Sequence, residues 1–340
     1  MSPEEMVERL EPFLAAETGV PGARVHEFRT MTGGAVRSAF SFDLELPGTG
    51  QAAPEALVLL AFRPGGASTF GAPEEFALLS AVHRQGAPVP RPRFVGEEPL
   101  GRPFYIMERV PGESIGRRLV RREEFARARS VLPQQLAEAL AGIHRVETGD
   151  AALAFLKGAA GGLSHAAHAL AELDELYRLI TLEPHPVFEL GFRWLARNEP
   201  ASDVTTLVHG DFRIGNVLVD EGGLRAVLDW ELAHLGDPIE DLGWLCGRSW
   251  RFGADELTCG GVGRREDLVV AYENASGRSV DADALRWWEV FGNLRWGVFT
   301  LVQVRPFLDG QSRNIELGMI GRRAAETEWE LLNLMEVKAL

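Results

Sequence analysis

The chain has 340 residues, and 49 acidic against 35 basic side chains give it a formal net charge of −14. Such a charge repels a phosphate backbone, so the composition argues against a nucleic acid partner. Hydrophobic residues make up 46% and charged residues 25%, which is typical of a globular protein and, at this length, predicts two lobes or domains.

The sequence offers no signal for a membrane or an oxidising compartment. No window approaches the roughly 20 apolar residues of a membrane span, and residues 1–20 are acidic rather than basic. We therefore expect a cytoplasmic protein with no membrane partner. The two cysteines, Cys246 and Cys259, lack the spacing of a zinc or redox site, and we expect two reduced, partly buried thiols. The sequence does not set the oligomeric state.

The first 110 residues predict a small, mainly antiparallel sheet with helices. Apolar residues recur at helical spacing, then at the alternation typical of strands, with turns rich in Gly and Pro between the segments. The predicted elements are a helix over 4–17, strands over 39–46 and 56–63, a helix over 73–84 and a strand over 103–108.

The remainder of the chain is mostly helical by its periodicity. Helices are predicted over 131–144, 185–198, 282–305 and 324–337. Two short strands, 216–219 and 225–228, interrupt them and are joined by a turn at residues 220–223. The natural boundary is the Val110-Pro111-Gly112 turn, so we predict an α+β protein with a small β-rich lobe and a larger helical lobe.

Residues 207–242 carry the groups that phosphoryl transfer requires. Asp211 lies in a polar loop, Asn216 follows five residues later, and Asp229 ends the second short strand. A carboxylate must accept or orient the proton of the attacking hydroxyl, while Mg²⁺ prefers a few carboxylate or amide oxygens together with phosphate and water. The interval from Asp to Asn equals that of the protein kinase catalytic loop.

These motifs carry a family resemblance. His209-Gly210-Asp211, Asn216, Asp229-Trp230-Glu231 and the run 237–243 resemble the catalytic core of the aminoglycoside phosphotransferase family, over about residues 25–300. The chain is most similar to the branch related to the kinase-like domain of acyl-CoA dehydrogenase fusion proteins. The resemblance implies a bilobal protein-kinase-like fold, with a nucleotide-binding lobe over 1–109 and a helical lobe over 110–340 that holds the catalytic loop and the acceptor site.

The resemblance also implies roles for the motif residues. Asp211 would be the catalytic base or the carboxylate that orients the hydroxyl, and Asn216 and Asp229 would be the Mg²⁺ ligands. His209 would hold the loop by packing and hydrogen bonding. Arg213 is open to two readings, because it would either neutralise a phosphate or pair with a nearby carboxylate.

A glycine pair lies shortly before the predicted strand over 39–46. Family members carry a glycine-bearing loop over the phosphates at this place, and the resemblance assigns Gly33 and Gly34 to it. Glycines let backbone N–H groups approach phosphate oxygens closely. The alternative is an ordinary hairpin turn.

Kinase-like sites place a cation on the third strand, where it contacts phosphates and pairs with a glutamate of a helix. No lysine occurs before Lys157, so Arg63 is the candidate cation. Glu75 is its candidate partner, with Glu74 as the fallback. The strand register is open by one residue, and a slip of one residue moves a side chain to the other face of the sheet. The alternative is that Arg63 is a surface arginine.

Residues 106–110 resemble the hinge at which kinase-like folds bind adenine through the backbone. By that match the Glu108 carbonyl and the Val110 N–H would contact adenine, with Met107 behind the ring. The alternative is a plain edge strand that enters a turn.

Two features bear on the acceptor without choosing it. An acidic run made of Glu231, Asp237, Glu240 and Asp241 would suit a cationic acceptor, but Asp237 and Asp241 also resemble the structural acids that hold the family's catalytic loop. The tryptophan-rich helix 282–305 would floor an apolar pocket or simply pack against its neighbours.

The sequence therefore predicts an ATP- and Mg²⁺-dependent kinase that transfers the γ-phosphoryl group to an alcohol. The acceptor is an aminoglycoside-like, aminoalcohol or hydroxyacyl compound, and the choice between ATP and GTP is open. The alternative is a nucleotide-binding pseudokinase that acts as a regulatory module, which the missing lysine favours. A metal-dependent phosphohydrolase is disfavoured because no second His and Asp cluster has two-metal spacing.

Overall fold

The computed structural model describes residues 2–31, 37–50, 52–63, 69–202 and 204–336. The chain forms two compact units. The smaller unit comprises Met1–Gly112, Val146–Phe155 and Arg225–Leu232, and the larger unit comprises Glu113–Arg145, Leu156–Leu224 and Ala233–Leu340. The assignment of nucleotide binding to residues 1–109 and of the acceptor site to residues 110–340 stays a prediction.

The smaller unit contains a five-stranded sheet in the order β1-β2-β3-β5-β4, in which every neighbouring pair is antiparallel. Its elements are α1 (Pro3–Thr18), β1 (Arg24–Met31), β2 (Arg37–Glu45), β3 (Glu55–Phe62), α2 (Ala72–Arg84), β4 (Pro92–Gly96) and β5 (Phe104–Glu108). The antiparallel sheet predicted for this half of the chain is confirmed.

Helix α1 begins with a capping box and covers one face of this sheet. The Ser2 hydroxyl accepts from the Glu5 N–H at 3.2 Å, and the Ser2 N–H donates to the Glu5 carboxylate at 2.8 Å. Met6, Leu10 and Leu14 share one side of the helix and are buried in the core of the unit. The spacing that predicts the helix is therefore also what packs it.

The alternation along β3 separates two faces of the sheet. Leu57, Leu59 and Ala61 lie in the core that α1 covers. Successive residues of a strand point to opposite faces, so Phe62 belongs to the other face together with its directly opposed neighbour on β2, Arg37. This second face carries the polar groups described below.

The larger unit is built mainly from helices, with short strands on either side of the loop 209–216. Its elements are α3 (Gly116–Arg121), α4 (Ala126–Ile143), α5 (His165–Ile180), α6 (Pro186–Arg197), β6 (Thr206–Val208), β7 (Val217–Asp220), β9 (His234–Gly236), α7 (Ile239–Cys246), α8 (Arg265–Ser276), α9 (Ala282–Leu308), α10 (Ile315–Gly321) and α11 (Ala324–Leu334). Strand β8 (Gly223–Val227) contains the boundary between the units.

Aromatic packing dominates the core of the larger unit. Helices α5, α6, α9 and α11 enclose one cluster, in which Trp287 and Trp288 are fully buried. Trp287 donates its indole N–H to the Leu195 carbonyl at 2.9 Å. These two tryptophans are packing residues and do not floor an acceptor pocket. Both cysteines are free and buried, and burial raises the pKa of the Cys259 thiol to about 12.

The α+β fold and all of the predicted helices and strands are confirmed, with ends that shift by a few residues. The largest shift is in α4, which begins at Ala126 and not at residue 131. Pattern reading misses β1, β4, β6, β9, α3, α5, α7, α8 and α10. Among the described residues, no helix combines the length and the apolar content of a membrane span.

Candidate active site

A buried carboxylate holds the loop that follows β6. Asp241 accepts hydrogen bonds from the backbone N–H of His209 at 2.8 Å and of Gly210 at 2.9 Å. Gly210 has a φ of +78°, which a residue with a side chain rarely adopts. The start of the loop is thus fixed by one side chain of α7 and by one glycine.

The support for the loop continues behind Asp241. The His144 Nε2 lies 3.1 Å from Asp241, and the other ring nitrogen lies 2.8 Å from the Tyr272 hydroxyl. Burial alone would raise the pKa of Asp241, but the hydrogen bonds from His144 and from the His209 N–H outweigh burial and lower it. Asp241 therefore has the structural role that was one of its two readings.

Asp211 and Asn216 lie side by side at the two ends of the loop. The Asn216 amide nitrogen donates to the Asp211 carbonyl at 3.0 Å and to its Oδ2 at 2.5 Å. Both bonds use the amide nitrogen, so neither uses the oxygen that a magnesium ion would need. His209 is buried and its Nδ1 accepts from the Asp211 N–H at 3.2 Å, in agreement with a role in holding the loop.

Two further side chains contact the Asp211 carboxylate. The Trp244 indole N–H donates to Oδ1 at 2.7 Å, and the Arg213 Nε lies 3.1 and 3.2 Å from the two oxygens. The Arg213 guanidinium also stacks over Trp250, 4.8 Å from the ring centre. Arg213 thus pairs with a carboxylate, which is one of the two readings of its role. Trp244 was missed, since it follows Asp211 by 33 residues and its type alone predicts packing.

Asp229 lies in the smaller unit and has an unusual backbone. Its φ is +64°, in the left-handed region that a non-glycine residue adopts at a cost of about 1 kcal/mol or more. Its Oδ1 lies 3.7 Å from Nη1 of Arg37. Such strain is concentrated at functional sites, where the surrounding structure maintains it.

Arg37 is the centre of a cluster of three carboxylates in the smaller unit. Its Nη2 pairs with the buried Glu75 and lies 3.2 Å from Oε2 of Glu231. Burial raises the pKa of Glu75 to about 7, against the opposing effects of Arg37 and of a hydrogen bond from Tyr105. Arg37 is not found from the sequence, because the cation is expected on the third strand and Arg37 lies at the start of β2, just after the predicted glycine loop.

The predicted pairing of Arg63 with Glu75 is replaced by the pair of Arg37 and Glu75. Arg63 follows Phe62 at the end of β3, and its Nε lies 3.4 Å from the Ser38 hydroxyl. The alternation of the strand assigns Arg63 to the face opposite Arg37, which is the slip of one residue that sequence reading left open. Glu74 lies in the first turn of α2 and is partly buried. Gly33 and Gly34 lie outside the described residues.

The backbone N–H groups at the end of β5 alternate in direction, and the binding of adenine by this segment stays a prediction. The Glu108 N–H donates to the Arg91 carbonyl at 2.8 Å, and the Arg109 N–H donates in the opposite direction, to the Ala56 carbonyl at 2.9 Å. Along an extended chain these directions alternate. The Glu108 carbonyl is therefore directed toward the β4 side, and the same alternation, continued by one residue, predicts that direction for the Val110 N–H.

The other acids of the run after Asp229 also have protein partners. Asp237 accepts from the Ile239 N–H at 2.9 Å at the start of α7. Glu240 contacts His234 and Arg295, each at 3.1 Å. Among the described residues, no three His, Cys, Asp or Glu side chains are grouped as metal ligands. A magnesium site that uses one carboxylate, one amide and phosphate oxygens is compatible with that finding.

The family model described as "Phosphotransferase enzyme family" matches residues 48–288, which include the loop 209–216 and Asp229. The chain belongs to the phosphotransferase enzyme family. The match covers more than half of the sequence, and the resemblance drawn from the sequence motifs is thereby confirmed.

Solved structures of this family share the fold. A candidate aminoglycoside phosphotransferase from Ralstonia eutropha superposes with a TM-score of 0.74 at 23% identity, over 98% of this chain and 99% of that one. The macrolide 2'-phosphotransferase of Brachybacterium faecium gives 0.63 at 18% identity, over 93% and 97% of the two chains. A thermostable mutant of aminoglycoside phosphotransferase APH(4)-Ia, in a ternary complex with AMP-PNP and hygromycin B, gives 0.60 at 19% identity, over 97% and 98%. The protein-kinase-like fold implied by the resemblance is thus confirmed.

Curated relatives include members of a second group of enzymes. Acyl-CoA dehydrogenase family member 10 of Mus musculus is 32% identical over 176 residues, which are 51% of this chain and 16% of that protein. Family member 11 of Homo sapiens is 31% identical over 173 residues, or 49% of this chain and 22% of that protein. These matches cover about half of this chain and less than a quarter of each relative's length.

Proposed function

We propose that this member of the phosphotransferase enzyme family is an ATP- and Mg²⁺-dependent kinase that transfers the γ-phosphoryl group to the hydroxyl of a small molecule. The observation that carries the proposal is the Asp211 carboxylate, which Asn216 contacts at 2.5 Å at the other end of a loop anchored by Asp241. A loop fixed in this way supplies the positioning on which phosphoryl transfer mainly depends.

Asp211 is the residue that would receive the acceptor hydroxyl. Trp244 and Asn216 orient its two oxygens from the protein side. Arg213 is its more exposed partner, with a quarter of its side chain accessible, and contacts both oxygens at slightly longer distances. The acceptor hydroxyl would replace Arg213 at the carboxylate, and the released guanidinium would then be available to an anionic group.

Two residues would supply oxygen ligands to magnesium. Asn216 would use its amide oxygen, and Asp229, whose side chain is 39% exposed, would use its carboxylate. Asn216 belongs to the larger unit and Asp229 to the smaller one, so coordination of one ion by both is part of the proposal. When bound, magnesium neutralises the charge on the nucleotide phosphates.

The nucleotide would bind through the Glu108–Val110 segment. Its backbone directions support one accepting and one donating contact to the edge of a purine base. Structures of aminoglycoside phosphotransferase APH(4)-Ia contain AMP-PNP or ADP, and one of aminoglycoside 2'-phosphotransferase-IIIa contains GDP, so both purines stay open for this chain. ATP is the nucleotide we propose, because residues 106–110 resemble the hinge at which kinase-like folds bind adenine.

The acceptor class stays open among aminoglycoside-like, aminoalcohol and hydroxyacyl compounds. The acidic run no longer favours a cationic acceptor, because Asp237, Glu240 and Asp241 contact partners within the protein. The other feature, the tryptophans of α9, gives no support to an apolar pocket at Trp287 or Trp288, which are buried.

The experiment that tests the proposal measures ADP formation from ATP with Mg²⁺ across a panel of the three acceptor classes. We expect turnover with at least one acceptor, and its loss by about 1,000-fold or more in Asp211→Asn, because the base is removed. Asp283→Asn is the matched control, since Asp283 is exposed in the first turn of α9. Chelation of magnesium should abolish turnover.

The competing function is a nucleotide-binding pseudokinase. Tight binding of Mg²⁺-ATP without turnover on any acceptor would favour it. An enzyme whose turnover is equal in the wild type and in Asp211→Asn would contradict the role that we propose for Asp211.

A further inference from the structure

Arg37 lies at the start of β2, beside the third strand of the sheet. Arg37 is directly opposite Phe62 in the pairing of β2 with β3. Side chains that are directly opposed on antiparallel strands share a face. The Arg37 guanidinium accordingly lies 5.3 Å from the centre of the Phe62 ring. A cation of β2 therefore occupies the space above the last residue of the third strand.

The Arg37 side chain is buried and forms an ion pair with a buried glutamate. Its side chain is 10% exposed and pairs with Glu75 of α2, which is itself 2% exposed. A cation held against a buried glutamate of the helix that follows the third strand is the arrangement that kinase-like sites use for their phosphate-binding lysine. In this chain the cation comes from the neighbouring strand, and an aromatic residue is opposite it.

The hydrogen bonds of the Arg37 guanidinium to Glu75 and Glu231 both use Nη2. A guanidinium has five N–H donors. Among the described residues the Arg37 Nε is buried and has no hydrogen-bond partner. Nη1 lies 3.7 Å from Asp229, which is longer than a hydrogen bond. Because Nε is buried, Nη1 is the Arg37 nitrogen that is left to contact an anionic ligand.

The groups around Arg37 are acidic. Glu75, Asp229 and Glu231 are all within 4 Å of this single guanidinium. The two partners other than Glu75 are each about a third exposed. The guanidinium is thus anchored on its buried side by one carboxylate and approached from the accessible side by two others, one of which is the proposed magnesium ligand.

We propose that Arg37 is the residue that binds the α- and β-phosphates of the nucleotide, and that Glu75 positions it for this role. The proposal rests on the proposed function, since it assumes that the chain binds a nucleotide in the kinase manner. It moves the phosphate-binding cation from the third strand to β2 and removes Arg63 from that role. It also explains how the chain can dispense with a lysine before Lys157.

The test compares the affinities of ATP, ADP and adenosine, measured by titration calorimetry with Mg²⁺ present. The main variants are Arg37→Ala and the double variant Arg37→Ala, Glu75→Gln, which avoids leaving a buried carboxylate without its partner. We expect each to bind ATP and ADP about 10- to 100-fold more weakly, the range of one lost charged hydrogen bond. Adenosine affinity should stay within about twofold, because adenosine has no phosphate.

Two arginines serve as comparisons. Arg84→Ala is the matched control, because Arg84 is 63% exposed in the same unit and pairs with Asp150. Arg63→Ala tests the third-strand alternative. Both should bind all three ligands like the wild type. A melting curve for each variant shows that it is folded.

The outcomes separate this inference from the function on which it rests. A wild type that binds none of the three ligands overturns the proposed function and this inference together. A wild type that binds ATP overturns the inference alone if Arg37→Ala binds it equally well, or if the variant loses affinity for adenosine as much as for ATP. Loss of ATP affinity in Arg63→Ala but not in Arg37→Ala would return the role to the third strand.

Discussion

The indole N–H of Trp244 donates a hydrogen bond of 2.7 Å to Oδ1 of Asp211, so an aromatic side chain of α7 orients the proposed base. Replacing Trp244 with Phe keeps an aromatic ring and removes the donor. We expect kcat to fall about tenfold or more, because a hydrogen bond to a charged group contributes about 1.5–3 kcal/mol. The KM for ATP should stay within about twofold.

The matched control for this change is Trp329→Phe. Trp329 is on α11 and its side chain is largely exposed, at 60%. Steady-state kinetics on the best acceptor of the panel provide the measurement. A Trp244→Phe variant with the kcat of the wild type would show that the indole donor does not orient Asp211.

Replacing Asp241 is expected to destabilise the loop 209–216, because its carboxylate accepts two hydrogen bonds from the loop backbone. In Asp241→Asn an amide nitrogen takes the place of one oxygen that accepts from a backbone N–H, so at least one buried donor loses its partner. The expected cost is about 1–3 kcal/mol of unfolding free energy. Activity should fall with it, since the loop start is released.

Chemical denaturation of Asp241→Asn measures that cost. Asp283→Asn again provides the control, and its unfolding free energy should change by less than about 1 kcal/mol, the size of a helix-terminus effect. Equal stabilities of the two variants would contradict the anchoring role of Asp241.

Glu75 gives a prediction for the dependence of stability on pH. Burial raises its pKa from 4.5 to about 7 in the folded chain. Between these values the folded state holds a proton that the unfolded state has released, so stability decreases as the pH rises through this window. Relative to Glu75→Gln, which cannot ionise, the wild type should lose up to about 3 kcal/mol between pH 4.5 and 7.

Melting temperatures at several pH values between 5 and 8 test this point. The stability difference between the wild type and Glu75→Gln should change across the range. Glu74→Gln, at the neighbouring glutamate of the same helix turn, is the matched control. A constant difference for both variants would show that Glu75 is ionised throughout the range.

The opposition of Arg37 and Phe62 predicts that the cation can be moved back to the third strand. Adding Phe62→Lys to Arg37→Ala puts an ammonium group on the same face of the sheet, one strand away from its original place. We expect the double variant to regain most of the ATP affinity that Arg37→Ala loses, to within about threefold of the wild type. Calorimetry measures the affinity. A folded double variant that binds ATP no better than Arg37→Ala would contradict the equivalence of the two positions.

The sequence predicts the parts of the fold whose patterns are local. The helical spacing of Met6, Leu10 and Leu14 predicts α1, and alternation predicts β2, β3 and β5. Strands β6 and β9 have three residues each, which is too short for a period to show. Helix α7 was missed because its residues are nearly all buried, so no polar face marks its period.

The candidate site divides in the same way. Asp211 and Asn216 can be found from their spacing of five residues in the sequence. They belong to one short loop, so their contact does not depend on how distant segments pack. Arg37 and Trp244 act through contacts across strands and between distant segments, which no local spacing shows. The partner of Glu75 depended on a strand register, and a shift of one residue separates Arg63 from the correct face.

A structure of the chain with Mg²⁺ and AMP-PNP tests the central claim most directly. The account predicts one magnesium ion within about 2.1 Å of the Asn216 amide oxygen and of an Asp229 oxygen. It also predicts that the γ-phosphate faces Asp211 and that the base contacts the Glu108 carbonyl and the Val110 N–H. A nucleotide bound elsewhere, or a magnesium ion held by neither Asn216 nor Asp229, would contradict the account.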